Sequence, residues 1–310
     1  DIGGSANLTI TNALDADIDT INLSDATGTV DLVLQAGDNT VTGGSGVDTI
    51  DFQTFFTIAD TFNGGGGDDV IIATLSSGSI TPTLVTNVEQ FNVNFAGGSL
   101  NASGLDDVST YRITAATQNA TWSNLGGTGT KTFNQRAGSG GTNAFTAAFD
   151  AGAAATVVYD VNSAAAAANV NNSSTSFTNV ETLTINSDND LAADSTLTLG
   201  SLSGGAALKT LTINGSSDAS NGDALNTGNI TNVAELETLV ITADEAGLTV
   251  GTLVSAQELK TVTITNNTDE GSDGNITIGA IGGTNAADEL TSFSVTTYGT
   301  STTGTSVVNL

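Results

Sequence analysis

The residues with the clearest chemical capacity form two glycine–aspartate phrases near the start of the chain. One reads Gly43-Gly44-Ser45-Gly46-Val47-Asp48-Thr49-Ile50-Asp51, the other Gly64-Gly65-Gly66-Gly67-Asp68-Asp69-Val70-Ile71-Ile72. Both fit the nine-residue pattern G-G-x-G-x-D-x-U-x, in which U is a large apolar residue. The glycines permit a turn tight enough to crowd backbone carbonyls together. The aspartate adds a carboxylate, and U begins a short strand that faces a core. Such turns offer oxygen donors only, the set that suits Ca2+, a hard ion taking about six to eight oxygens. The expected ligands are the carboxylates of Asp48 and Asp69 with the carbonyls of Gly43, Ser45, Gly64 and Gly66. Asp68 is either a further ligand or a solvated acid.

Composition narrows the alternatives. Acidic residues number 33 against 5 basic ones, a net charge of −28 that repels nucleic acids and anionic membrane surfaces and opposes compaction unless cations neutralise it. Neither His nor Cys is present, which removes a Ser-His-Asp triad, a thiol nucleophile and a zinc site of the usual N/S kind. Paired carboxylates can hydrolyse glycosides. Three Tyr and one Trp make a poor sugar groove, however, so no enzyme is expected. No transmembrane run is visible. The start at Asp1 reads as a processed protein or as one segment of a larger one.

Other acidic groups carry less. Asp15, Asp17 and Asp19 open like an EF-hand, but Thr20 stands where its glycine belongs and Ala26 where its Glu belongs, so they read as a solvated strand face. The clusters Asp106-Asp107, Asp188-Asn189-Asp190 and Asp269-Glu270 with Asp273 read as hydrated edges, with a weaker calcium site as the alternative. The alanine run at 164–168 is either a helical turn or a set of tight coil corners.

The elements that must position the nonapeptides follow from periodicity. Gly28, Gly37 and Gly46 are nine apart, as are Leu32, Val41 and Ile50. Two residues before those apolar positions stand Val30, Asn39 and Asp48, so the nine-residue frame precedes the metal motif and only its last copy carries the carboxylate. In a β-roll two nonapeptides make one coil, so motifs about 18 residues apart stack on one edge. Asp48 and Asp69 are 21 apart, that spacing plus three residues, which the segment Thr54-Phe55-Phe56 can absorb. One strong calcium position between the two glycine turns is expected.

Residues 175–310 repeat in another way. One element places Leu183, Leu211, Leu239, Val262 and Phe293 at equivalent positions, 28, 28, 23 and 31 residues apart. A second lies between its copies and carries Gly200, Gly228, Gly251 and Gly279, 28, 23 and 28 apart. Apolar residues alternate with Thr or Ser inside each, the period of a strand with one buried face. A single coil of this length cannot bury its apolar face alone, but stacked coils share a core. The chain therefore reads as all-β, a parallel solenoid in three zones. Residues 1–95 form a β-roll with the calcium turns, 96–174 an irregular β section with long loops, and 175–310 solenoid repeats.

The nonapeptides resemble the repeats-in-toxin (RTX) modules of bacterial proteins exported by type I secretion. The phrases Thr86-Asn87-Val88-Glu89-Gln90-Phe91-Asn92-Val93 and Thr178-Asn179-Val180-Glu181-Thr182-Leu183-Thr184-Ile185 look like segments of calcium-dependent surface-layer (S-layer) proteins and large adhesins of that group. The resemblance implies a right-handed parallel β-solenoid on the bacterial cell exterior, with Ca2+ as its cofactor. Its partners are then further copies of itself in a lattice or sheath, with a cell-surface glycan as a candidate anchor. The alternative within the same group is a stalk or ligand-binding segment of a secreted adhesin. Only two full motifs are present, against the long tandem arrays of typical toxin modules.

Overall fold

A computed structural model of the chain describes residues 2–126, 129–135, 140–153, 155–161, 170–189, 196–217, 224–244, 247–268, 276–281, 289–299 and 308–309. The alanine run at 164–168 and the acids Asp190, Asp269, Glu270 and Asp273 lie outside these residues, as do the side chains of Asp188 and Asn189. Among the described residues there is no helix, and all strand pairings are parallel. The fold is a parallel β-solenoid. By compactness the chain divides into two units, residues 1–131 and 132–310, a partition drawn on a different criterion from the three repeat zones.

In residues 1–131 the principal ladder stacks Leu8–Ile10, Val30–Val33, Asp48–Asp51, Val70–Leu75, Gln90–Phe95 and Thr110–Ala116 in chain order. Its register places Leu32, Ile50, Ile71, Phe91 and Tyr111 in one column, each essentially inaccessible to solvent. Their alternation with Thr, Asn and Asp explains why strands form here. One face meets the core and the other meets water. A second ladder, Thr20–Asn22, Thr40–Thr42, Thr61–Asn63 and Val85–Thr86, contributes Ile21, Val41, Phe62 and Val85 from another side. A third pairs Ser79–Ile80, Ser99–Asn101 and Ala120–Leu125, aligning Ile80, Leu100 and Trp122. Each fully buried side chain among these contributes about 1.5–3 kcal/mol by leaving water. Residues 52–60 lie outside the strands, where Phe55 N donates to Phe52 O and the Phe56 ring packs edge-on against Phe52 and Phe91. The extra residues between the two glycine–aspartate phrases are thus accommodated without breaking the stack.

In residues 132–310 the principal ladder runs through Ala155–Val161, Val180–Asn189, Thr210–Ser217, Thr238–Asp244, Thr261–Thr268 and Ser292–Gly299. Leu183, Leu211, Leu239, Val262 and Phe293 are direct register partners, the equivalence that their spacing predicts. The second element stacks likewise: Leu197, Leu225, Leu248 and Ile276 align, as do Leu202, Ile230, Leu253 and Ile281. A side chain at Gly228 would strike Gly200 O at 2.4 Å, and one at Gly251 would strike the carbonyl of Gly228 at 2.4 Å. Close backbone approach between coils is what these glycines permit. Register shifts fall between Val93 and Asn94, at Asn143 and between Ala155 and Thr156. Among the described residues of the middle section, the strands stay paired through the shifts at Asn143 and Ala155.

Candidate metal centre

The two glycine phrases form successive corners of residues 1–131, one above the other. Ser45 N donates to Ala26 O and Gly66 N to Gly44 O, while Gly43 N donates to Asn63 O and Gly64 N to Thr86 O. The corners approach so closely that side chains are forbidden. A Cβ on Gly43 would lie 1.8 Å from Gly64 O and 2.9 Å from Asp48 Oδ2, and one on Gly65 would lie 2.2 Å from Gly44 O. The absent side chains leave a space that carbonyl and carboxylate oxygens face.

Asp48 and Asp69 point inward at these corners, and both have 0% exposure. Asp48 Oδ2 accepts from Gly44 N at 2.8 Å, tying the carboxylate into its own turn. Asp69 Oδ1 accepts from Asp48 N at 2.7 Å, clamping one coil to the next. The remaining oxygens, Asp48 Oδ1 and Asp69 Oδ2, are buried and accept no hydrogen bond. A buried acceptor without a partner is costly, and two stacked carboxylates compound the cost by repulsion. Burial pushes the Asp69 carboxyl up to about 7 from its ordinary 3.8; the Asp48 N–H partly counters this, and the charges of Asp48, Glu89 and Asp68 add to it. Burial raises the Asp48 carboxyl as well; the N–H of Gly44 and, from outside hydrogen-bond geometry, that of Val30 oppose the rise, and Asp31 adds a like charge.

These residues fit a bound cation. The donor set is oxygen alone, two buried oxygens lack partners, and the local charge is negative. No cluster of three or more acidic side chains with metal-holding geometry occurs among the described residues, so an ion here would draw much of its shell from backbone carbonyls. Of the expected ligands, Gly43 and Gly64 are buried against each other, Ser45 is exposed on the turn and Gly66 is half-buried. Asp68 is exposed beside the pair. Asp15, Asp17 and Asp19 are all exposed, with Asp15 Oδ1 accepting from Asp17 N in a local turn.

Three residues with a part at the coil corners of residues 1–131 are missed by motif reading. Glu89 occupies the Asp48–Asp69 column one coil further on, and its Oε2 accepts from Asp69 N at 2.7 Å. Its signal was positional: Glu89 precedes Phe91 by two, as Asp69 precedes Ile71. Asp60 is the second. On another corner it accepts from the N and Nδ2 of Asn39 at 2.9 and 3.2 Å, and from Thr57 N at 2.7 Å. There an amide stands where the metal motif has a carboxylate, and the buried acid is satisfied by protein alone. Lys131 is the third. Its buried ammonium donates to the carbonyls of Asp106 at 2.9 Å and Val108 at 2.5 Å, so an internal cation serves the corner before Thr110–Ala116.

Residues 32–53 and 59–75 match the RTX calcium-binding nonapeptide repeat, in 4 copies. The match covers both glycine phrases and, in addition, the frame around Asn39 and Asp60. No curated protein and no solved structure matches the chain. The chain thus carries an RTX-type repeat segment, and such repeats imply Ca2+ binding.

Proposed function

We propose that this chain is a non-catalytic structural protein of the bacterial cell exterior, a β-solenoid that Ca2+ stiffens and that self-associates into an S-layer lattice or sheath. The observation that carries this reading is the buried pair Asp48 and Asp69, each with one oxygen lacking a partner, at stacked RTX turns. When bound there, Ca2+ supplies positive charge and a directional shell of oxygen contacts. Asp48, Asp69 and the carbonyls of Gly43, Ser45, Gly64 and Gly66 hold the ion, with Asp68 adding charge at the rim. A site at about a hundredfold excess of calcium over its dissociation constant stabilises the folded state by about 2.7 kcal/mol. That is a substantial fraction of a typical domain's stability. The fold then tracks external calcium.

Other features support a structural role. Buried polar side chains are engaged in coil-to-coil bonds: Asn39 with Asp60, and Gln135, Tyr159, Asn172 and Thr175 in one network. No helix is long and apolar enough to cross a membrane among the described residues. The S-layer-like phrases around Glu89 and Glu181, the excess negative charge and the absence of His and Cys agree with a scaffold outside the cell. Type I secretion is the export route that this assignment entails, and a cell-surface glycan is its candidate anchor. Negative-stain electron microscopy of the purified protein tests the reading. Ordered sheets or tubes in millimolar calcium, dispersing in EGTA, are expected. Isolated rods in both conditions contradict the lattice and favour the adhesin-stalk alternative.

A further inference from the structure

The geometry points to a second calcium site, between the glycine turn that ends at Asp69 and the following corner at residues 86–89, which has no glycine motif. It deepens the calcium reading and rests on the same donor chemistry; it shares Asp69 with the first site and adds Asn87 O and Glu89. The RTX match ends at residue 75, and the phrase Thr86-Asn87-Val88-Glu89 contains no glycine, so no motif assigns a ligand beyond Asp69.

Three observations place the site. A Cβ on Gly64 would lie 2.0 Å from Asn87 O and 2.4 Å from Asp69 Oδ2, so these two oxygens face one space. Asp69 Oδ2 is one of the buried oxygens with no hydrogen-bond partner, in a side chain at 0% exposure, while its Oδ1 is already held by the preceding coil. Glu89 stands against Asp69 from the next coil, Oε2 on Asp69 N, so a second carboxylate adjoins Asp69 and its charge acts on it. The arrangement repeats the first site one coil later. Gly64 takes the role of Gly43, Asn87 O that of Gly64 O, and Asp69 that of Asp48.

Asn87 makes this possible without glycine. Its φ of 52° lies in the left-handed region, which Asn tolerates better than most side chains. Its amide bonds Asn63 Oδ1 at 2.8 Å and its N–H donates to Asp107 Oδ2 at 3.1 Å, so both neighbouring coils fix the turn and its carbonyl. Asp69 therefore serves two ions, one through each face of its corner, and the metal-bound edge extends one coil past the recognisable motif.

Calcium titration calorimetry of the full chain, with Asp48→Asn, Glu89→Gln and Glu89→Lys, tests this. Asp48→Asn addresses only the first site. Glu89→Gln keeps the bond to Asp69 N but lowers the ligand charge, and weakens one calcium by about tenfold or more. Glu89→Lys places an ammonium in the column and removes one calcium while the far-ultraviolet circular dichroism is retained. If both Glu89 variants bind calcium with unchanged stoichiometry and affinity, the second site is overturned, while a loss confined to Asp48→Asn leaves the first intact. Should a variant fail to fold, a calcium-soaked crystal of the unaltered protein decides the matter. Density is expected between Asp69 and Asn87, and density only between Asp48 and Gly64 overturns the proposal.

Discussion

The same position in two stretches of this chain carries its charges in different ways. In residues 1–131, the principal-ladder column through Asp48 reads Val30, Asp48, Asp69, Glu89 and Ser109. In residues 132–310 the position two before Leu183, Leu211, Leu239 and Val262 reads Glu181, Lys209, Glu237 and Lys260. There the charges alternate coil by coil, Lys209 Nζ meeting Glu181 Oε1 at 2.9 Å and Lys260 Nζ meeting Glu237 Oε1 at 3.3 Å. Side-chain amides do similar work nearby, with Asn186 donating to Asp160 at 2.8 Å and Asn214 to Asn186 at 3.0 Å. Parallel stacking in register piles identical positions on one another. Acids in a column therefore need a counter-charge, which the later coils encode in their own sequence and which, on the proposed reading, calcium brings to the earlier ones. Depth separates the two solutions further. The Lys209–Glu181 pair is 52% and 37% exposed, whereas Asp48 and Asp69 are sealed. Exposed ion pairs add little to stability, while buried unpaired carboxylates are heavily penalised.

The largest effect that can break this contrast comes from Asp69, the acid shared by both proposed ions. Asp69→Ala is expected to abolish the calcium-dependent rise in stability, worth about 2.7 kcal/mol for each site at a hundredfold excess of calcium. Denaturant unfolding with and without calcium measures it. Next comes Asn39→Asp, which replaces a donor to Asp60 with a second buried acid. A loss of about 1–3 kcal/mol without calcium is expected from the same assay, with partial recovery in calcium.

A pH effect follows. The folded-state pKa of Asp69 near 7 exceeds its ordinary value of 3.8, so the folded protein holds this proton more tightly than the unfolded chain. Metal-free stability is therefore fullest below about pH 4 as far as this group is concerned, and declines as pH rises through about 7. Calcium competes with that proton, so its affinity weakens below about pH 7. Thermal scans between pH 5 and 8, in EGTA and in calcium, should show the decline only in EGTA. The smallest change is expected from Lys209→Met. Glu181 holds the Lys209 ammonium in its charged form, raising its pKa, but on an open surface. The variant should leave both the thermal midpoint and its calcium dependence nearly unchanged.

The later coils were highly legible in the sequence because each repeat shows the same alternation at nearly the same interval. Leu183, Leu211, Leu239, Val262 and Phe293 could be aligned by eye, and they pair in that register. The glycine turns were legible because close backbone approach demands glycine at fixed spacing. Glu89, Asp60 and Lys131 were not. Each acts through a contact to another coil 20 to 25 residues away, and none stands at the aspartate of a full glycine phrase. Asn39 showed why a frame can persist without its metal: an amide bonded to Asp60 meets locally the need that a carboxylate would create. The three-zone division followed repeat type and had no means of locating the compactness boundary near residue 131.

Hydrogen exchange of the full chain, followed by mass spectrometry with and without calcium, tests the division of labour most directly. Strong calcium-dependent protection is predicted for peptides spanning residues 43–95, with little change across residues 180–264. Equal protection of both stretches, or none in either, would contradict the account.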